Sequence, residues 1–168
     1  KGGNYWAAQP VALGSLIDND DLELLLVLSG LCNQYGLDVF HVGYTLAWAM
    51  ECFENGLLTT SDTDGLELRF GCEDKDGLVD LVPKIALRQG FGDLLARGCS
   101  EAAKIVGQGS EQFCLAVKGQ ELEGIPQRNL YMVALGIAVS EVGPGVDDLA
   151  VGDRVFKQAV LEFLSSRA

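Results

Sequence analysis

Hydrophobic residues recur at helical spacing in the first part of the chain. From Asp20 to Tyr35 the apolar residues fall three or four positions apart, which places them on one face of a helix. Asp20 and Glu23 match a capping-box pattern in which aspartate replaces serine or threonine. Gly36 is a natural stop, because glycine adopts positive φ without a Cβ penalty. The pattern therefore predicts a helix that ends in a turn at Gly36.

A second helix is predicted directly after this turn. Asp38 can cap it, and it extends from about Val39 to Glu54, with Gly56 at its end. The residues that share one side of it are Phe40, Tyr44, Ala47, Trp48 and Glu51. Because only a few residues join the two helices, we expect them to pack as an angled pair.

The rest of the chain predicts further helices and little strand. Pro83 lies inside the third helix and should bend it or delay its start, because proline lacks a backbone donor. The predicted elements are an irregular stretch at 57–76, helices at 77–89, 93–106, 132–140 and 152–165, a strand at 112–118 and a loop at 119–129. The predicted fold class is mainly α, with angled helix pairs and one or two short strands.

The charge balance excludes some partners. The chain carries 24 acidic and 12 basic residues, for a net charge of −12. An acidic chain without a basic stripe repels nucleic acid and anionic membrane surfaces. No apolar run is long enough to span a bilayer, and no signal peptide is present. The sequence therefore predicts a cytoplasmic protein that binds neither nucleic acid nor membrane.

The candidate reactive residues form no recognisable site. The chain contains five cysteines, none at CxxC spacing, which predicts buried thiols in a reducing compartment rather than disulfides or a zinc site. His41 is the only histidine and is expected to be partly buried at a helix N-terminus. Glu51 and Glu54 are expected at a solvated helix end. These observations assign no catalytic residue and no metal ligand.

A longer stretch resembles a known family. "LCNQYGLDVFHVGYTLAWAMECFENGLL" (31–58) resembles the middle segment of the aldehyde ferredoxin oxidoreductase family, whose pattern there is Asp/Asn-x-x-Gly-Leu-Asp followed by "AMEC-aromatic-E-x-G". Further segments follow in the family's order: "DGLELRFG" (64–71), "KIALRQGFGDLLARG" (84–98) and "AVKGQEL" (116–122). The resemblance covers roughly residues 4 to 146.

The resemblance implies a cofactor role for the first of these segments. Members of the family carry tungsten, sometimes molybdenum, on a bis-pyranopterin, together with a [4Fe–4S] cluster. The matching residues Asn33, Gly36, Leu37 and Asp38 would form an interhelical turn on the surface of the fragment, and this turn would hold one pterin. Asn33 and Asp38 would form hydrogen bonds with pterin edges, and Gly36 would let the backbone approach.

The resemblance also implies that the chain is part of a larger enzyme. Residues 1–168 would be a single helical fragment, the middle of a protein that oxidises aldehydes to carboxylates and passes electrons to ferredoxin. Its expected partners are the N-terminal β domain and the C-terminal remainder of that protein, and a homo-oligomer is left open. The isolated chain is expected to be inactive and to hold no cofactor.

Departures from the family pattern leave two functions open. The cluster motif CxxCxxxC and a second Gly-Leu-Cys segment do not occur in residues 1–168. Two acidic positions of the family are Asn4 and Trp6 here, and its active-site histidine is Val146. The chain would therefore belong to a divergent oxidoreductase, as class II benzoyl-CoA reductases are, or to an inactive relative that serves as an interaction or assembly module. Neither the substrate nor the choice between tungsten and molybdenum follows from the sequence.

Overall fold

The fold is mainly α, as predicted. A computed structural model describes residues 8–122, together with Ala134 and Ala138. The chain divides into two compact units, Lys1–Leu115 and Ala116–Ala168. Among the described residues, the first unit contains α1 (Ala8–Ala12), α2 (Leu22–Tyr35), α3 (Val39–Glu54), α4 (Lys75–Leu87), α5 (Phe91–Leu95) and α6 (Cys99–Val106), with 3₁₀ turns at Ser15–Ile17 and Ser110–Phe113. The assignment of 1–168 to a single helical fragment of a larger protein stays a prediction.

The N-cap of helix α2 lies one residue after its predicted position. Asp21, not Asp20, is the N-cap, and its carboxylate accepts hydrogen bonds from the backbone N–H groups of Glu23 (2.8 Å) and Leu24 (3.3 Å). The Lys75 ammonium donates a further hydrogen bond to Asp21. This bond and the two backbone bonds lower the pKa of the Asp21 carboxyl. The capping box proposed at Asp20 is therefore wrong, although the helix itself is confirmed.

Helix α3 is the element on which the first unit is built. Its predicted bounds, Val39 to Glu54, are confirmed. Four other helices and both 3₁₀ turns contact it. Its buried residues are Val42, Gly43, Tyr44, Thr45, Leu46, Trp48, Ala49, Met50 and Cys52. A Cβ atom at Gly43 would collide with the carbonyl oxygen of Ala12, so the backbones of α1 and α3 are in contact there.

Helix α4 continues through its proline. It begins at Lys75, two residues before the predicted start at Gly77, and it is uninterrupted at Pro83. The expectation that Pro83 delays the helix is therefore wrong. Proline costs about 3 kcal/mol in a helix interior. Burial of four apolar side chains of α4 offsets this cost, at about 1.5–3 kcal/mol each. These side chains are Leu78, Leu81, Val82 and Ile85.

The predicted fourth helix is two helices. Gly98 separates α5 from α6 and has φ 77° and ψ 160°. Such a conformation is nearly restricted to glycine, and it ends any helical hydrogen-bond ladder. The prediction of one continuous helix from Asp93 to Val106 is therefore wrong.

The predicted strand at 112–118 is shorter than expected. Its first two residues belong to the 3₁₀ turn Ser110–Phe113, and only Ala116–Val117 forms strand β1. Strand β2, Gln120–Glu121, pairs with it antiparallel and lies where a loop was predicted. Lys118 and Gly119 both have positive φ (54° and 84°), as in a two-residue hairpin turn. The turn conformation at these two residues, rather than the alternation of side chains, therefore determines where the hairpin forms.

Two predicted helices, at 132–140 and 152–165, lie outside the described residues, apart from Ala134 and Ala138, which are helical. Among the helices of the described part, none combines the length and the apolar character needed to cross a membrane.

The contact at Gly43 generates a stability prediction. We expect Gly43→Ala to destabilise the chain by about 1–3 kcal/mol, because the added methyl group must push α1 away from α3. Gly30→Ala in α2 is the matched control, since a Cβ atom there has no neighbour within 4 Å. The control should stabilise the helix by about 0.5–1 kcal/mol. Urea unfolding of both variants measures the difference, and equal effects of the two would contradict the contact.

Candidate functional site

The turn between α2 and α3 brings the four predicted site residues together. Gly36 has φ 68°, and a Cβ atom there would have no neighbour within 4 Å. The Leu37 N–H donates a hydrogen bond to the carbonyl oxygen of Cys32 (2.9 Å), and the Gly36 N–H donates to that of Asn33 (3.4 Å). The first of these bonds is characteristic of a Schellman motif, which satisfies carbonyl groups at the end of a helix.

Asp38 begins the next helix. Its Oδ1 accepts a hydrogen bond from the His41 N–H (3.0 Å), while its backbone is extended (φ −72°, ψ 122°). Within the described part of the chain, no hydrogen bond to Oδ2 is found. Asn33, Gly36 and Asp38 are exposed and Leu37 is half-buried. The predicted surface location of this turn is thus confirmed.

The chemistry of the turn fits a polar, planar ligand. Asn33 offers one amide that can both donate and accept, and Asp38 offers carboxylate oxygens that only accept. Gly36 adds no side chain that would keep a ligand away from the backbone. A pterin edge carries ring and exocyclic N–H groups beside ring nitrogen acceptors, so this set of groups fits it. Within residues 8–122 no three histidine, cysteine or acidic side chains are grouped to hold a metal ion.

A cavity lies along the second half of α3. Its volume is about 320 Å³, near the lower end of the range for small-molecule sites. The lining residues are Leu16, Tyr44, Ala47, Trp48, Glu51, Phe70, Cys99, Gln112, Phe113 and Leu115. The predicted shared side of α3 supplies four of them, but no sequence pattern indicated a cavity. Its other walls come from distant segments.

Trp48 connects this cavity to the second 3₁₀ turn. Its side chain is 2% exposed, and its indole N–H donates a hydrogen bond to the carbonyl oxygen of Ser110 (3.0 Å). The Ser110 hydroxyl in turn donates to the carbonyl oxygen of Ala103 (3.0 Å). These two bonds fix the 3₁₀ turn to both α3 and α6.

The expectations for His41 and the two glutamates have different outcomes. His41 is exposed, so its predicted partial burial is wrong: it lies in the first turn of α3, on the side facing solvent. Glu54 is exposed, and its carboxylate accepts a hydrogen bond from the Phe70 N–H (3.2 Å). Glu51 is half-buried at the cavity.

The cysteines are only partly as predicted. Cys99 and Cys114 form a disulfide with a Cα–Cα distance of 5.7 Å, so the expectation of five free thiols is wrong. Cys32, Cys52 and Cys72 are buried free thiols, as expected. Burial raises the pKa of Cys32 and Cys72 to about 11, and that of Cys52 to about 12. The charge of Asp38 contributes to the shift at Cys32.

Comparison with known proteins identifies one family. The family described as aldehyde ferredoxin oxidoreductase, domains 2 and 3, matches residues 5–150. The tungsten-containing aldehyde ferredoxin oxidoreductase of Pyrococcus abyssi is 36% identical over 135 residues, which are 79% of this chain and 22% of that protein. The aliphatic sulfonate oxidoreductase, WOR-like subunit, of Pyrococcus furiosus is 32% identical over 127 residues, 72% of this chain and 20% of that protein.

A solved structure has the same fold. It is the active site complex BamBC of benzoyl coenzyme A reductase, in complex with 1,5-dienoyl-CoA. The TM-score is 0.60 and the identity 29%, over 72% of this chain and 18% of the other. The chain thus spans about a fifth of the length of the proteins it matches.

The raised thiol pKa values generate a prediction about alkylation. In the folded chain at pH 8, a thiol of pKa about 11 is thiolate in only on the order of one molecule in a thousand. We therefore expect Cys32, Cys52 and Cys72 to remain unmodified by iodoacetamide and to react readily in urea. Below pH 10, the rate of the slow alkylation in the folded chain should increase about tenfold per pH unit. Mass spectrometry of digests measures this, and equal rates in the folded and unfolded chain would contradict it.

Proposed function

Because the chain belongs to the aldehyde ferredoxin oxidoreductase family, we propose that it supplies one pterin-binding turn to a tungsten- or molybdenum-dependent oxidoreductase. The observation that carries the proposal is the exposed turn formed by Asn33, Gly36, Leu37 and Asp38 between two capped helices. A solvent-facing turn of this kind is the part of the chain best able to meet a ligand held by other domains.

Each residue of the turn has a distinct role in this proposal. Asp38 Oδ2 would accept a hydrogen bond from a pterin N–H while Oδ1 keeps its bond to the His41 N–H. Asn33 would donate to a ring nitrogen from the last turn of α2, and Gly36 would let the ligand contact the backbone. Leu37 anchors the turn through its bond to the Cys32 carbonyl. The pterin-bound metal would supply the two-electron redox chemistry.

The aldehyde is the proposed substrate of the whole protein, with ferredoxin as electron acceptor. The relatives named tungsten-containing aldehyde ferredoxin oxidoreductase, at up to 36% identity, support this substrate. A relative named for aliphatic sulfonates and a structural neighbour named for benzoyl coenzyme A show that proteins of this fold differ in substrate. Asn4, Trp6 and Val146 replace family acids and a histidine, so a substrate other than an aldehyde is the second candidate.

The [4Fe–4S] cluster in this proposal belongs to other parts of the protein. Such a cluster needs cysteine thiolates close together. Here Cys99 and Cys114 are bonded to each other, and Cys32, Cys52 and Cys72 are buried free thiols. In this proposal, the chain's contribution to cofactor binding is confined to the pterin.

Substitution of Asp38 in the full-length protein tests the proposal. We expect Asp38→Ala to reduce retained tungsten or molybdenum roughly tenfold or more, since a hydrogen bond to a charged group contributes about 1.5–3 kcal/mol. Asp38→Asn should lower retention less, because asparagine still caps α3 and still accepts a hydrogen bond. The measurement is metal content by mass spectrometry after gel filtration, beside the rate of aldehyde oxidation.

Asp74→Ala is the matched control. Asp74 caps α4 by accepting a hydrogen bond from the Gly77 N–H (3.0 Å). Loss of this cap should lower the stability of the fold by about 1 kcal/mol, as loss of the Asp38 cap of α3 should. Asp74 lies outside the turn, and its substitution should leave metal content unchanged. If Asp38→Ala and Asp74→Ala both retain full metal, the turn does not bind the pterin. A full-length protein that takes up no metal at all would favour the alternative, an inactive interaction or assembly module.

A further inference from the structure

We propose that the Cys99–Cys114 disulfide is a reversible redox latch that holds one wall of the cavity beside α3. This inference is independent of the pterin role of the turn. Cys99 is the first residue of α6, and Cys114 follows the second 3₁₀ turn. The bond joins residues 15 positions apart and closes a loop that contains all of α6. Cys99 lines the cavity at one end of the loop, and Leu115, the residue after Cys114, lines it next to the other end.

The latch holds a short segment, Ser110 to Leu115, which we call the wall segment. Its first residue is fixed independently of the disulfide by the hydrogen bonds that join Ser110 to Trp48 and to Ala103. Its last residue, Leu115, is 64% exposed. Two further backbone hydrogen bonds of the segment are local, from the Gln112 N–H to the Gly109 carbonyl oxygen and from the Cys114 N–H to the Glu111 carbonyl oxygen. The disulfide is the covalent tie between the end of the wall segment and the first residue of α6.

The two sulfurs differ in accessibility, which gives the exchange a direction. Cys99 is 1% exposed, whereas Cys114 is half-buried, so an incoming thiolate reaches the Cys114 Sγ first. The leaving sulfur is then that of Cys99, at the N-terminus of the eight-residue helix α6. Free N–H groups at a helix N-terminus stabilise a thiolate. A stabilised leaving thiolate departs faster.

Ser100 adds a polar contact to this bond. Its hydroxyl lies 3.7 Å from the Cys114 Sγ. A sulfur in a disulfide carries no hydrogen, so the hydroxyl is the donor. After reduction the same hydroxyl can donate to a Cys114 thiolate. The Cys114 sulfur therefore has a polar neighbour in both redox states.

The reductant in this thiol–disulfide exchange is a dithiol. One thiolate of the dithiol attacks the Cys114 Sγ, a mixed disulfide forms, and the Cys99–Cys114 bond breaks with the electron pair leaving on Cys99. The second thiolate of the dithiol then attacks the mixed disulfide and releases Cys114. Two protons from the dithiol complete the Cys99 and Cys114 thiols, and the dithiol becomes a disulfide. An oxidised dithiol closes the latch by the reverse steps.

Hydrogen exchange on the full chain tests the latch. The chain is compared oxidised and after treatment with dithiothreitol, and the Cys99→Ala/Cys114→Ala double variant receives both treatments. A non-reduced digest of the oxidised chain should contain the 99–114 cross-linked peptide. Reduction should speed exchange of the amides at 112–115 by roughly tenfold or more and leave those of α4 unchanged. It should also lower Tm by roughly 5–10 °C.

The double variant separates the latch from other effects of the reductant. Dithiothreitol should change neither its exchange nor its Tm, and both should resemble those of the reduced chain. Re-oxidation with oxidised dithiothreitol should restore slow exchange in the unmodified chain only. Absence of the cross-linked peptide, or the same exchange at 112–115 before and after reduction, would overturn the proposal. A response of the double variant equal to that of the unmodified chain would overturn it as well.

Discussion

Helix α3 has to be buried along its length while both of its ends remain polar, and the first unit is arranged around this requirement. Nine of its sixteen residues are buried. Four other helices and two 3₁₀ turns contact it, and the backbone of α1 comes close to it at Gly43, which has no side chain. Both ends lie at the surface, where Asp38 and Asn55 form hydrogen bonds with backbone groups at the helix ends.

The proposed pterin-binding turn and the cavity both lie along this one helix. The turn that contains Asp38 precedes its first residue, and the cavity lies beside Tyr44, Trp48 and Glu51. At about 1.5 Å per residue, Asp38 and Trp48 are separated by roughly 15 Å along the helix axis. A rigid helix keeps the two at a constant separation. In the proposed function, each feature would supply only part of the surface that a cofactor or substrate requires, since the chain spans about a fifth of its relatives' length.

Local sequence was a good guide wherever one residue's conformation decides an element. Gly36 and Asp38 placed the boundary between α2 and α3 correctly, because their hydrogen bonds reach only a few residues along the chain. The same local reasoning misplaced the α2 cap by one residue, since the capping-box pattern selected Asp20, whereas Asp21 is the cap. It also overlooked Gly98, whose positive φ splits the predicted fourth helix. A glycine inside a helical pattern does not by itself reveal its backbone conformation.

The sequence by itself determined the helical class, the exposed turn and the family, because these depend on caps, spacing and motifs that are local in the chain. Tertiary structure alone decided three other features. Helix α4 continues through Pro83, because packing of its apolar side chains outweighs a local penalty. The cavity beside α3 combines walls from distant segments. Cys99 pairs with Cys114, although no spacing rule joins them, because α6 and the second 3₁₀ turn fold back on each other and bring the two α-carbons within 5.7 Å.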